Sequence, residues 1–219
     1  MLNDGDKGVI LQRDKQTYAV APHLPCGVVT PAQLRKLADV AEKYGCAALK
    51  VTSAERIAMV GIKEADVDAM WKDLGMSPGA AVGLCVRSVK ACPGTTFCKR
   101  GLQDSLGLGM KLDELYHGVE LPAKFKIGVS GCPNQCAETC IKDLGFVGKR
   151  SGWTVMVGGQ GGGKPRLAQE LVEGLSDADA LQIAEKVIAF VKEKVEGRQR
   201  LGWALEKIGF DNFKSCVLG

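Results

Sequence analysis

The cysteines that lie close together in this sequence fall in two short stretches. Each stretch has a Cys-Pro pair at its second and third residues. "ACPGTTFCKRG" (91–101) contains two of them and "GCPNQCAETC" (131–140) contains three, out of nine in 219 residues. In a reducing compartment, clustered cysteines more often bind a metal or carry out redox chemistry than form disulfides. An odd total also fits poorly with a closed set of disulfides. The two stretches therefore predict a metal or redox centre.

The spacing of four cysteines favours an iron–sulfur cluster, which needs four thiolate ligands. Five residues separate Cys92 from Cys98, and three separate Cys132 from Cys136. Structural zinc sites usually have two to four residues between paired ligands, so the wider first pair fits a larger cluster better, and zinc is the main alternative. Proline after the first cysteine of each pair suppresses helix there, so the loop can turn around a metal.

The other five cysteines are expected to be packing residues. Cysteine often behaves as a small buried hydrophobic residue. We apply this interpretation to the four that stand alone, Cys26, Cys46, Cys85 and Cys216. Cys140 lies one turn beyond Cys136 on a predicted helix, which would put both on the same side. A buried helix-core role is favoured for Cys140, and a fifth thiol near the metal is the alternative.

The first part of the chain predicts a ferredoxin-like sandwich. Strand and helix signals follow one another in the order β-α-β-β-α-β, ending with a fourth strand at "AVGLCVRSV" (81–89). We assign residues 1–88 to this half-domain. Residues 89–219 form the second, cysteine-containing half, in which "LAQELVEGL" (167–175) is predicted as a helix. The predicted class is α+β, with the ferredoxin-like half-domain packed on the second half.

Composition narrows the class of function. The start of the chain, "MLNDGDKGVI", carries charges where a signal peptide needs an apolar run, so we expect a cytoplasmic protein. No stretch of about 18 apolar residues is present to span a membrane. The net charge of +4 permits an anionic ligand but does not by itself indicate nucleic acid.

The sequence C-P-G-T-T-F-C followed by G-C-P-N-Q-C resembles the signature of sulfite and nitrite reductases that carry coupled sirohaem and 4Fe–4S centres. Both cysteine spacings, both prolines and Asn134 fit, and the short length resembles the small assimilatory-type sulfite reductases of anaerobic bacteria. The resemblance implies a sirohaem- and cluster-binding second half. It also implies that Cys92, Cys98, Cys132 and Cys136 bind the cluster, and that Cys136 bridges to the sirohaem iron.

The resemblance also implies a set of basic residues around an anionic substrate. Lys124 and Lys126 are two apart on a predicted strand, so alternation puts them on one face, and the family places two such lysines against the bound anion. Arg87 matches a family arginine at the substrate pocket. The position of a further family arginine is occupied by Ala54, and Arg56 is expected to supply that charge.

Further residues are candidates for holding sirohaem, which bears eight carboxylates. Arg100 follows Cys98 and is predicted to pair with them. The glycine-rich "GGQGGGKPR" contains Gly158 and Gly159, whose backbone is predicted to approach the flat macrocycle, and Arg166, which is predicted to bind carboxylates. Pro165 stands where a nucleotide site needs Ser or Thr, so ATP binding is not expected.

The implied activity is the six-electron reduction of sulfite to sulfide. The chain lacks a nicotinamide or flavin fingerprint, so a separate donor such as a ferredoxin would supply the electrons. Two alternatives stay open: reduction of nitrite to ammonia with the same centres, and a non-catalytic sirohaem or iron–sulfur electron carrier. The sequence is compatible with a monomer or a homodimer.

Overall fold

A computed structural model describes every residue from Met1 to Gly219, and the chain forms two compact units, Met1–Gly83 and Leu84–Gly219. The division predicted from the sequence, after residue 88, falls slightly further along the chain. Each unit combines a sheet with helices, so the predicted α+β class is confirmed. None of the helices has both the length and the apolar composition needed to cross a membrane.

The first unit is a four-stranded antiparallel sheet with two helices. Its strands are β1 (Val9–Leu11), β2 (Tyr18–Val20), β3 (Ala48–Val51) and β4 (Ile57–Ile62), in the spatial order β1-β2-β4-β3. The helices are α1 (Pro31–Lys43) and α2 (Val67–Leu74). Helix α1 begins with a capping box in which the Gln33 N–H donates to Thr30 Oγ1 at 3.2 Å and the Thr30 N–H donates to Gln33 Oε1 at 2.8 Å.

The fourth strand of this sheet is not the predicted one. The prediction placed it at 81–89, but β1 occupies that role by pairing antiparallel with β2. A tight turn over residues 12–17, closed by the Gln12 N–H to the Thr17 carbonyl at 2.8 Å, joins the two strands. A local hairpin costs less loop-closure entropy than a pairing between distant segments. The sequence that was predicted as the fourth strand begins the sheet of the second unit instead.

The second unit is built on a mixed five-stranded sheet in the order β5-β6-β7-β8-β9. The strands are β5 (Val86–Ala91), β6 (Phe125–Ser130), β7 (Leu144–Lys149), β8 (Gly152–Val157) and β9 (Gln169–Leu175). The helices are α3 (Gly94–Phe97), α4 (Ser105–Tyr116), α5 (Asp177–Lys194), α6 (Leu201–Ile208) and α7 (Phe210–Leu218). Strands β5, β6 and β7 are parallel, and β8 and β9 are antiparallel to their neighbours.

One face of this sheet carries the hydrophobic core. Val89 pairs with Ile127, and Phe146 lies on the same face of the sheet. All three residues are buried. Helices α4 and α5 pack on the sheet and contribute buried apolar side chains such as Leu112 and Val187. Because this face is closed by helices, any ligand on this sheet must lie at its other face or at its ends.

The segment predicted as a helix at 167–175 is strand β9, so that prediction is wrong. Glu, Leu and Ala favour a helix when exposed to water. Here the backbone pairs antiparallel with β8, with Val172 opposite Val155 and Gln169 opposite Val157. Among its seven residues only Leu171 is buried, so the pairing with β8, and not the packing of an apolar helix face, sets the conformation of this segment.

Candidate active site

The face of the sheet opposite the core is polar and lined by small residues. The register pairs Ser88 with Lys126, Lys90 with Gly128, and Gly128 with Gly145, so these five residues share that face. Parallel strands are usually covered on both faces by helices. Here the second face is covered by a loop instead, because the connection from β6 to β7 contains no α-helix.

That loop, residues 131–143, contains the second cysteine cluster and lies directly on the polar face. A Cβ added to Gly145 would lie 2.7 Å from the Thr139 carbonyl oxygen, and one added to Gly128 would lie 3.1 Å from the Ala137 carbonyl oxygen. The Ala137 N–H donates to Ser130 Oγ at 3.1 Å. The glycines are therefore needed because the loop backbone approaches the sheet too closely for a side chain.

The first cysteine loop is hydrogen-bonded to the second through Gly131. The Gly131 N–H donates to Cys92 Sγ at 3.2 Å, and the Gly131 carbonyl accepts the N–H groups of Leu102 at 2.7 Å and Gln103 at 3.0 Å. A Cβ at Gly131 would lie 2.8 Å from the Cα of Gly94. The two stretches that the sequence predicted to meet are thus joined by direct bonds.

The four predicted cluster ligands differ in exposure. Cys132 is buried, Cys92 and Cys98 are half-buried, and Cys136 is exposed; all four are free thiols. No group of three or more Cys, His, Asp or Glu side chains lies close enough to hold a single metal ion. A cubane cluster binds each thiolate at a different iron, so its ligands need not converge on one point. The thiol donor set and the joined loops fit a cluster in that respect.

The prediction that Cys140 follows Cys136 on a helix is wrong. Glu138 between them has a left-handed backbone with φ of 56°, and only a single 3₁₀ turn over Thr139–Ile141 follows. A non-glycine residue in this region interrupts a helix. The Cys140 carbonyl instead accepts the Ala168 N–H at 2.8 Å, which connects the loop to the segment before β9.

Two lysines share one carboxylate at the edge of this loop. The ammonium of Lys142 lies 2.9 Å from Glu138 Oε2, and that of Lys90 lies 3.5 Å from Glu138 Oε1. The bond from Lys142, followed by the charge of Lys90, holds the pKa of Glu138 below its usual range, although burial opposes this. One negative charge thus faces two positive charges.

Lys126 lies next to these groups, half-buried on the polar face, and its side chain has no ion pair. Burial is the largest cause that lowers the pKa of its ammonium, and the positive charges of Lys142, Arg200 and Lys124 lower it further. Asp143 opposes these effects. The arrangement concentrates positive charge in a partly desolvated place, where an anion would be bound favourably.

The Asp143 carboxylate, which is fully buried, forms an ion pair with Arg200. Asp143 Oδ1 accepts from Arg200 Nε at 2.9 Å, and Oδ2 accepts from Arg200 Nη2 at 2.5 Å and from the Lys126 N–H at 2.8 Å. Burial raises the pKa of Asp143, and the bonds from Arg200 counteract that rise. Sequence reasoning missed Lys142, Asp143 and Arg200, because none belongs to a motif and Arg200 lies far along the chain.

The remaining predicted residues of the second unit occupy separate positions. Arg87 is half-buried at a β-bulge, where Val86 and Ser88 pair with the consecutive residues Phe125 and Lys126. Bulges re-aim side chains next to active sites. Arg100, two residues after Cys98, is exposed, and Asn134 is exposed within the second cysteine loop.

The glycine-rich segment lies against the second cysteine loop. A Cβ at Gly159 would be 2.6 Å from the Cys140 carbonyl oxygen, and Gly158 has a φ of 82°. Arg166 donates to the Gly202 carbonyl at 3.0 Å, forms an ion pair with Glu206 and lies over the ring of Trp203. Arg166 therefore contacts helix α6.

Arg56 lies in the first unit, immediately before β4. It is 8% exposed, and its Nη2 donates to the Ala80 carbonyl at 3.3 Å. Its backbone closes the β3–β4 hairpin, because the Thr52 N–H donates to the Arg56 carbonyl at 2.8 Å. A role for Arg56 at the substrate stays a prediction.

Family models match both parts of the chain. Residues 82–219 match the nitrite and sulphite reductase 4Fe-4S domain, and residues 10–77 match the nitrite/sulfite reductase ferredoxin-like half domain. The chain belongs to the nitrite and sulfite reductase family. The predicted family, the ferredoxin-like half-domain and the assignment as an oxidoreductase are confirmed by this match. So are the two cofactors of such enzymes, sirohaem and a 4Fe–4S cluster.

Individual relatives include sulfite and nitrite reductases. The chain is 45% identical over 218 residues, and over the full length of both proteins, to an assimilatory-type sulfite reductase of Nitratidesulfovibrio vulgaris. It is 38% identical over 207 residues to an NAD(P)H nitrite reductase of Bacillus subtilis, covering 94% of this chain but only 26% of that protein. The chain thus spans the whole of the first relative and about a quarter of the second.

Solved structures of family members share the fold. Dissimilatory sulfite reductase I matches with a TM-score of 0.82 and 14% identity, covering 92% of this chain and 69% of that one. The NirA protein of Mycobacterium tuberculosis matches with a TM-score of 0.80 and 19% identity, covering 98% of this chain and 43% of that one. At these identities the likeness concerns the fold alone.

Gly145→Ala should destabilise this family member, because the new methyl group would collide with the Thr139 backbone and not with a flexible side chain. Overpacking of this kind costs about 1–3 kcal/mol. Urea unfolding of the purified protein measures the free energy of unfolding. Gly163→Ala is the matched control, since a Cβ there meets nothing within 4 Å. Equal stability of the two variants would show that the loop does not rest on the sheet.

Serine substitutions should divide the cysteines into two groups. Cys98→Ser and Cys132→Ser are expected to lose most of the iron and acid-labile sulfide, because a hydroxyl is a poor replacement for a thiolate ligand. Cys140→Ser and Cys216→Ser are expected to retain both. Iron and sulfide assays on the purified variants provide the measurement. Iron loss in Cys140→Ser equal to that in Cys132→Ser would contradict the assignment, and zinc in place of iron would favour the zinc alternative.

Proposed function

We propose that this chain reduces sulfite to sulfide at a sirohaem coupled to a 4Fe–4S cluster. The observation that carries the proposal is the direct bonding of the two cysteine loops beside a partly buried cationic face of the same sheet. The likeness to an assimilatory-type sulfite reductase over the full length of both chains supports sulfite as the substrate. A redox centre next to an anion site is what the reduction of sulfite needs.

Cys92, Cys98, Cys132 and Cys136 would hold the cluster, and Cys136 would also bind the sirohaem iron. Cys136 is exposed whereas Cys132 is buried, which supports the proposal that the Cys136 sulfur binds the sirohaem iron in addition to the cluster. When bound, the cluster would supply electrons and the sirohaem an iron atom for the substrate's sulfur. The close approach of Gly158 and Gly159 to the second cysteine loop supports a place for the macrocycle beside it. Arg100, Arg166 and Asn134 are proposed to contact its periphery.

The basic residues would bind the anion and deliver protons. Lys126 is the best-supported proton donor, because burial and neighbouring cations lower the pKa of its ammonium and so make its proton easier to transfer. Lys124 and Arg87 are proposed to hold the sulfite oxygens by charge-assisted hydrogen bonds, and Arg56 is proposed as a further positive charge at the substrate. Each oxygen of sulfite leaves as water after it has received two protons, so a donor that is readily reprotonated is needed.

Electrons would come from a separate donor protein such as a ferredoxin, and the reaction would take place in the cytoplasm. The active protein would be a monomer or a homodimer.

Sulfite and nitrite should be distinguished by the specificity constant. With reduced methyl viologen as the electron source, we expect kcat/KM for sulfite to exceed that for nitrite by at least about tenfold, which is a difference of about 1.4 kcal/mol in transition-state stabilisation. A higher value for nitrite would favour ammonia formation instead, since nitrite reductases are also among the relatives. Absence of turnover with both anions, in protein with full cofactor content, would favour an electron carrier.

Lys126→Ala should lower sulfite turnover by about a hundredfold or more, the usual contribution of a positioned general acid. The visible spectrum of the cofactors is expected to persist, because the side chain is proposed to act on the substrate. Lys214→Ala, at an exposed lysine of α7, is the matched control and should leave turnover unchanged. Wild-type rates in Lys126→Ala would remove this lysine from the mechanism.

A further inference from the structure

We propose that the buried Asp143–Arg200 pair positions Lys126 for catalysis, so that Asp143 and Arg200 are positioning residues of the active site. The inference rests on the proposed function of Lys126. It identifies two residues that belong to neither cysteine motif and that would not contact the substrate themselves.

The Asp143–Arg200 pair is buried. The Asp143 side chain is 0% exposed and that of Arg200 is 11% exposed. A buried ion pair adds little to stability compared with apolar residues of the same shape, because both charges lose their hydration. The planar fork of Arg200, however, holds the carboxylate by two bonds in a fixed orientation. Such a pair is therefore better suited to fixing the position of the carboxylate than to stabilising the fold.

The fixed carboxylate holds the backbone of Lys126. Asp143 Oδ2 accepts the backbone N–H of Lys126 at 2.8 Å, at the beginning of β6. The β5–β6 ladder is irregular at this point, because the bulge at Arg87 shifts the register between Val86 and Ser88. The bond from the Lys126 N–H to Asp143 therefore fixes the backbone of this lysine where the sheet pairing is interrupted.

The same pair also bonds the glycine turn after β8. The Gly158 N–H donates to the Asp143 carbonyl at 2.9 Å, and Arg200 Nη2 lies 3.4 Å from the Gly159 carbonyl oxygen. Arg200 itself directly precedes helix α6. Three segments that are distant in sequence thus meet at the Asp143–Arg200 pair: Lys126 and Arg200 bond the Asp143 carboxylate, and the glycine turn bonds the Asp143 backbone carbonyl and Arg200. The pair would set the distance between the lysine and the turn proposed to lie beside the macrocycle.

The test compares variants of the cofactor-loaded enzyme. In Arg200→Ala we expect kcat for sulfite to fall at least tenfold with KM changed less than about threefold and the cofactor spectrum retained, because a displacement of about 1 Å can cost a hundredfold in rate. Arg200→Lys keeps the charge but not the fork and should recover part of kcat. Glu173→Gln, which removes an exposed ion pair with Lys149 on the same sheet, is the control and should leave all three values unchanged.

Hydrogen exchange at the Lys126 amide gives a readout that does not depend on turnover. We expect exchange at least tenfold faster in Arg200→Ala than in wild type. If Arg200→Ala does not fold, the uncharged double variant Asp143→Asn/Arg200→Gln replaces it, with the same expectations. Wild-type exchange together with wild-type kcat in a folded variant overturns the proposal, and so does a fall in turnover that only follows loss of cofactor. If wild-type enzyme fails to reduce sulfite, the proposed function fails, while the exchange result still decides whether the pair positions Lys126.

Discussion

The candidate site depends on the hydrogen bonds that Gly131 makes with the first cysteine loop. Its N–H donates to Cys92 Sγ, and its carbonyl accepts two N–H groups from residues 102 and 103. One residue directly after β6 therefore connects two loops that are about forty residues apart. A side chain at this position would collide with Gly94. The contact therefore requires a glycine at position 131, because the backbone at Gly94 approaches it closely. The same contact joins the two pairs of cysteines that are proposed to form one ligand set.

The polar face of the sheet follows from the same close approach. Gly128 and Gly145 leave room for the second cysteine loop to lie on the strands, and that loop replaces the helix that normally joins parallel strands. The loop ends in Lys142 and Asp143, so its position also determines where a cation and a buried carboxylate enter the site. Two of the proposed cysteine ligands, together with Lys142 and Asp143, are in this way fixed by one short connection.

The sequence predicted those parts of the site that depend on local pattern. The Cys-Pro spacings are a short-range signal, and they support the resemblance to the family that the family match confirms. The errors arose where a sequence pattern is compatible with more than one backbone conformation or strand pairing. Residues 167–175 have helix propensity but pair with β8, Cys140 lies beyond a left-handed Glu138, and the fourth strand of the first sheet is β1. Arg200 meets Asp143 only in the folded unit, so no local pattern reveals the pair.

Charge balance explains why this face favours an anion. Four cations, Lys90, Lys126, Lys142 and Arg200, lie on or beside it, against two carboxylates, Glu138 and Asp143. Asp143 is matched by Arg200, and Glu138 is shared by two lysines, so Lys126 has no counter-ion of its own. A desolvated ammonium without a counter-ion costs free energy, which a bound anion offsets. The same imbalance lowers the pKa of Lys126 and makes it a better acid before the anion arrives. The electrostatic cost thus falls on the lysine that is proposed as the proton donor.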